Sequence, residues 1–138
     1  MAKTDRITST NEIAEITNQF ISNPLLWGMW YTPHHFRFKS APYHLQILKA
    51  AQVHQFLVIA APRGSSKSTL LEFLTPLHKI IFRKKRFIVV ISNTYKKAST
   101  ALDNMKKEIK DQPRIKQDYN ILITRDAEGD SIFRWGEE

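Results

Sequence analysis

The chain has 138 residues, 42% hydrophobic and 25% charged, with no cysteine and a formal net charge of +8. Such a composition is that of an ordinary globular domain, large enough for a real core but small for a complete nucleotide-hydrolysing machine. It excludes disulfides and thiolate metal sites. No apolar run approaches the ~18 residues of a membrane span and no signal-peptide core follows Met1, so a cytoplasmic protein without membrane contact is expected.

The charge is unevenly spread. Arg83 to Lys116 carries 11 of the 21 basic residues against three acids, and from Asp118 onward six acids face two basic residues. A basic block of this kind suits a polyanion such as nucleic acid, or serves as a solvated helix face.

In chain order, residues 1–40 read as an N-terminal helical and aromatic segment packing on a core formed by 41–138. Ser9 and Glu12 have capping-box spacing. Ile13, Ile16, Phe20 and Ile21 then share one helical face, which Asn23-Pro24 ends. The following stretch holds Trp27, Trp30, Tyr31, Phe36 and Phe38, an aromatic group suited to burial more than to stacking on bases. Adjacent His34 and His35 point to opposite sides of an extended chain and lack the i, i+4 spacing of a helical metal site, so no metal is inferred from them.

Ser40-Ala41-Pro42 reads as a helix start, with an apolar stripe continuing to about Val53. Gln55 to Ala60 reads as a buried strand and Phe87 to Ile91 as a second. Between them lie a short polar loop, a helix through Leu70, Leu71, Phe73 and Leu74, a kink or restart at Thr75-Pro76, and the connection Arg83-Lys84-Lys85-Arg86. Strand, helix, strand at this spacing predicts a right-handed βαβ unit with a parallel pair. Ser92-Asn93-Thr94 caps a helix whose apolar stripe is Tyr95, Ala98, Leu102, Met105 and Ile109, with lysines over the remaining surface from Lys96 to Lys110. Gln112-Pro113 stops it. Residues 120–124 and 131–135 are short strand candidates around a turn at Ala127 to Asp130.

The loop Pro62-Arg63-Gly64-Ser65-Ser66-Lys67-Ser68-Thr69 carries the chemistry. A helix N-terminus offers unpaired N–H donors and the positive end of its dipole, and a preceding loop wraps further donors into a nest for phosphate. Gly64 can take the left-handed conformation of such a nest. Ser65 and Ser66 let the backbone approach. Lys67 is the candidate β/γ-phosphate ligand, Ser68 the candidate Mg²⁺ ligand and Arg63 a further phosphate contact. The standard phosphate-loop pattern has glycines where Ala61 and Ser66 stand.

Pro62 to Thr69 resembles the Pro-Arg-Gly-x-x-Lys-Ser/Thr loop of large terminase subunits, the DNA-packaging motors of tailed bacteriophages. Ala41 to Leu48 resembles that family's lead-in helix, and Phe87 to Thr94 its second strand and Ser-x-Thr turn. The resemblance covers roughly residues 36 to 135. It implies an α/β, P-loop NTPase-like three-layer α/β/α fold with a mostly parallel sheet, here truncated. It also implies ATP and Mg²⁺ as cofactors, with Lys67 and Arg63 catalytic, residues 62–69 binding nucleotide and His44 in adenine recognition. The partners it implies are double-stranded DNA, the small terminase subunit and the portal protein, in a homo-oligomeric ring in the host cytoplasm. No apolar run ends in the Asp-Glu pair that the family uses for hydrolysis, since Ile121 to Thr124 is followed by Arg125 and Asp126. The nuclease domain lies outside these residues too. The chain therefore reads as the ATP-binding portion of a packaging ATPase that does not hydrolyse alone. The alternatives are a basic nucleic-acid-binding module using Arg83, Lys84, Lys85, Arg86 and the 96–110 helix, or another P-loop class such as a helicase-like protein.

Overall fold

The computed structural model describes residues 10–136, with side chains from Ala14 onward. The capping box expected from Ser9 and Glu12, and the side chain of Ile13, lie outside the described residues. Helix α1 spans Thr10–Ser22 and stops where the Asn23-Pro24 step predicts. Asn23 then starts α2, Pro24–Tyr31, its side-chain oxygen accepting the Leu26 amide at 3.1 Å while Pro24, lacking an N–H, fills the first turn.

Helix α2 buries one face, Pro24, Trp27, Gly28 and Tyr31, while Leu26, Met29 and Trp30 stay exposed. Trp27 and Tyr31 are buried, Trp27 Nε1 donates to the Tyr119 hydroxyl at 2.9 Å, and the Tyr31 hydroxyl donates to Asp118 at 2.7 Å. Gly28 lets two neighbours close in, since a Cβ there would sit 2.6 Å from Leu74 Cδ1 and 2.9 Å from Phe36 Cε2. A 3-10 turn at Pro33–His35 leads to α3, Pro42–Val53, over the range its Pro start and apolar stripe predict.

After the loop, one continuous helix runs from Lys67 to Ile81. Over Thr69–Leu74 it is widened to a π-helix, and Thr75–Ile81 (α4) returns to α geometry. Pro76 explains the widening: it has no amide to donate, and its ring crowds the carbonyl one turn back. Thr75 closes the wide turn twice, with its amide and its hydroxyl both on the Leu70 carbonyl. Helix α5 spans Tyr95–Asp111, started by Thr94 as expected, and α6 spans Pro113–Asp118. Strands β1, Ile121–Arg125, and β2, Ser131–Trp135, pair antiparallel with Ile121 opposite Trp135 and Arg125 opposite Ser131. Asp126 organises their turn by accepting the Glu128 and Asp130 amides at 3.0 and 2.7 Å.

One core gathers Trp27, Tyr31, Leu48, Leu70, Leu74, Leu77, Ile81, Met105, Ile109, Ile115 and Ile121. Residues before and after position 40 thus share it.

The fold expectation is corrected. The molecule is mostly helical, and its sheet among the described residues is the two-stranded antiparallel hairpin, not the parallel sheet of a three-layer α/β/α architecture. Residues 57–60 and 87–91 carry no ladder. Phe56 is 88% exposed, Val58 96%, Phe87 84% and Ile91 88%, where burial between helices was expected. The physical reason is locality. A β-branched apolar run favours an extended backbone, but a ladder needs a second strand in register, and for a parallel pair that partner is distant in sequence. The hairpin forms because its partner is one turn away.

Candidate phosphate-binding site

The loop bends through left-handed backbone twice, at Gly64 (φ 79°) and Ser66 (φ 59°). The first is where a residue without Cβ was expected, and the space around a Cβ there is open to 4 Å, so φ rather than crowding calls for glycine. The second places a serine in a conformation uncommon for a side-chain-bearing residue. Between them Ser65 is buried, and its hydroxyl has no hydrogen-bond partner. Lys67 arches back over the loop, Nζ donating to the Pro62 carbonyl at 3.2 Å. Arg63 is exposed in the turn.

Ser68 and Thr69 open onto a cavity of about 580 Å³. Its opposite wall is the start of α5, where Ser92, Lys96 and Lys97 stand. Ser68 Oγ donates to Glu72 Oε1 at 3.3 Å, one helical turn on, and Glu72 is the one acid in the lining. A hydroxyl beside a carboxylate is an oxygen-only set of the kind that Mg²⁺ accepts. Two lysines across the cavity supply positive charge for a polyanionic ligand. The residues present therefore suit a metal-bound phosphate group.

The remaining expected site residues divide. Pro62, Arg63, Gly64 and Lys67 do not line the cavity, although Lys67 begins the helix that does. His44 lies on α3, its Nδ1 accepting the Ala41 amide at 3.2 Å. That bond places the ring proton on Nε2, which is buried without a partner. In the basic connection, Arg83 lies over the Trp135 ring at 5.5 Å. Lys84 donates to the Ile21 carbonyl at 2.6 Å, and partial burial, with Lys79 adding repulsion, lowers its pKa. Lys85 and Arg86 remain exposed.

Glu72 escaped the sequence reading although its signal was there, four residues after Ser68 and hence on the same helix face. Lys96 and Lys97 were read as part of a solvated basic face. Their approach to Ser68 is a tertiary fact with no local signature.

No helix among the described residues is long and apolar enough to cross a membrane. Comparison with protein-family models, with curated proteins and with solved structures gives no match.

Proposed function

We propose that the 62–69 loop and the start of its helix hold the phosphates of ATP with Mg²⁺, in the nucleotide-binding portion of a terminase-type DNA-packaging motor of the host cytoplasm. The observation that carries this reading is the cavity, where Ser68, Thr69 and Glu72 face Lys96 and Lys97 across about 580 Å³. The left-handed pair at Gly64 and Ser66 supports it, because such turns aim successive N–H groups into a concave nest. In this reading Lys67 leaves the Pro62 carbonyl for a phosphate oxygen, Ser68 and Glu72 hold the metal, and Lys96 and Lys97 neutralise the remaining charge. Arg63 contacts phosphate from the loop, within its own subunit or a neighbour's, while His44, its Nε2 buried and outside the cavity lining, serves the start of α3. The motor assignment rests on the Pro-Arg-Gly loop and its flanking segments alone, and the three-layer fold is no part of it. Glu72 bonds Ser68, so the cavity lining offers no second carboxylate to orient water, and these residues bind nucleotide weakly without turning it over.

The test is calorimetric titration with ATP-Mg²⁺. Wild type is expected to bind, and Lys67→Ala and Ser68→Ala to lose binding. Identical isotherms for wild type and Lys67→Ala would sink the proposal.

A second reading has its own observation. Lys85, Arg86, Lys107 and Lys110 are all exposed, free to track a nucleic-acid backbone. It gains the upper hand if ATP fails to bind while duplex DNA binds with a steep salt dependence that Lys67→Ala reduces.

A further inference from the structure

We infer that His34, His35 and Glu108 form a site for a zinc-class divalent metal ion. This rests on observations separate from the nucleotide reading. His34 Nε2 lies 3.1 Å and His35 Nε2 3.4 Å from the same oxygen, Glu108 Oε2. The three ligand atoms all fall within 4.8 Å of one another. A tetrahedral zinc with bonds of about 2.0–2.1 Å separates its ligand atoms by about 3.3–3.4 Å. The two ring-to-carboxylate separations bracket that value, and the ring-to-ring separation is within 4.8 Å.

Adjacent histidines converge here because the chain is not extended. The 3-10 turn Pro33–His35 is locked at its entry by Pro33 and by Thr32, whose buried hydroxyl donates to the Gly28 carbonyl at 2.8 Å. The Phe36 amide closes the turn on the Pro33 carbonyl at 3.0 Å. The two imidazoles lie with centroids 4.3 Å apart, and His35 is held against Phe73 at 4.4 Å. Both rings thus reach one carboxylate, which a rigid helix delivers: Glu108 stands on α5 between buried Met105 and Ile109.

Glu108 is the anomaly that points to a ligand. It is 7% exposed, in a helix whose other charges are mostly solvated lysines. Burying a carboxylate is costly unless its oxygens are satisfied. Both imidazoles crowd Oε2, yet Oε1 is buried with no hydrogen-bond partner. Hydrogen bonding to the two rings leaves that oxygen unexplained. A cation held by Oε2 and both Nε2 atoms neutralises the whole carboxylate and brings Oε1 within reach as an additional donor atom. Two imidazoles and one carboxylate form a donor set for Zn²⁺ or its neighbours rather than for Mg²⁺, with at least one position left open. His35 also lines the cavity next to Ser68, so the metal would stand in the wall of the proposed nucleotide site.

The test uses the full chain after chelator treatment and dialysis. Titration with ZnCl₂ is expected to give one equivalent bound per chain. Cobalt chloride is expected to give the intense visible absorption of a four-coordinate N/O site. His34→Gln, His35→Gln and Glu108→Gln, each similar in size and able to hydrogen-bond, are expected to weaken zinc by at least about 10–100-fold, the loss that even outer partners cause. His54→Gln, on the exposed end of α3, is expected to change nothing. Circular dichroism reports whether each variant stays folded, and a His34→Gln chain that is folded yet binds zinc like wild type overturns the assignment. So does the absence of stoichiometric zinc in the wild type. Loss of zinc with ATP binding intact separates this site from the nucleotide reading.

Discussion

His78 is buried in the core, Nε2 donating to the Phe20 carbonyl at 2.8 Å, with Trp27 edge-on at 5.7 Å. Burial lowers its pKa from 6.5 to about 4, and the charges of Lys84 and Lys79 push the same way against the carbonyl's opposing pull. The sign follows from proton counting. Above pH 6.5 the ring is neutral in both states and the full stability is present. As pH falls below 6.5, the unfolded chain takes up a proton that the folded chain refuses until about pH 4. Stability is therefore expected to fall through that window, by roughly 3 kcal/mol from this group. Urea denaturation at pH 7 and pH 4.5 measures it. His78→Gln, which keeps a donor for the Phe20 carbonyl but cannot titrate, is expected to flatten that share of the slope. The aromatic segment shows the same economy at residue scale. Trp27, Tyr31 and Tyr119 use their polar tips to tie α2 to the end of α6, whereas Trp30 and Phe38 of the same aromatic stretch stay exposed.

Among the elements, the helix from Lys67 to Ile81 does most to place the site. Its π-helical stretch sends Leu70, Phe73 and Leu74 into the core while Ser68, Thr69 and Glu72 stay on the cavity side. The Thr75 hydroxyl bonds the Leu70 carbonyl at 2.7 Å, a second donor beside the Thr75 amide on the same oxygen. Thr75→Val removes that donor with little change of shape. It is expected to cost about 0.5–1.5 kcal/mol in chemical denaturation. An unchanged midpoint would show that the backbone bond alone holds the wide turn. A disturbance of the helix at Pro76 was readable from the sequence, because a missing amide acts locally, but the helix runs on without the restart expected there. The extra-wide turn was not readable, since it is a compromise between the proline and the burial of Leu70 and Leu74.

At the scale of the whole molecule, residues 56–60 and 87–91 are the unusual feature. Each is an extended apolar run whose ladder groups carry no backbone partner among the described residues. Segments of high β-propensity with open edges pair with whatever strand is available. The chain is therefore expected to bind an apolar dye and to self-associate as concentration rises, measured by sedimentation velocity across a dilution series. Val58→Lys with Val89→Lys, both at exposed positions, is expected to reduce both signals without altering the circular dichroism. A sharp monomer at every concentration, with no dye bound, would contradict this.

By itself the sequence determined what local chemistry controls. The boundaries at Asn23-Pro24, Pro42, Thr94 and Gln112-Pro113 follow from proline's missing amide and from side-chain caps. The hairpin at 121–135 follows from its turn, and the left-handed bend at Gly64 from the only residue type without a Cβ. The tertiary structure alone decided what depends on distant partners. It left the apolar runs without the parallel sheet they suggested, because periodicity records burial preference and not which strand will pair. It brought Lys96 and Lys97 to face Ser68, and Glu108 to His34 and His35 across more than seventy residues. No spacing rule spans that distance, because the separation is closed by helices packing on one core rather than by a turn.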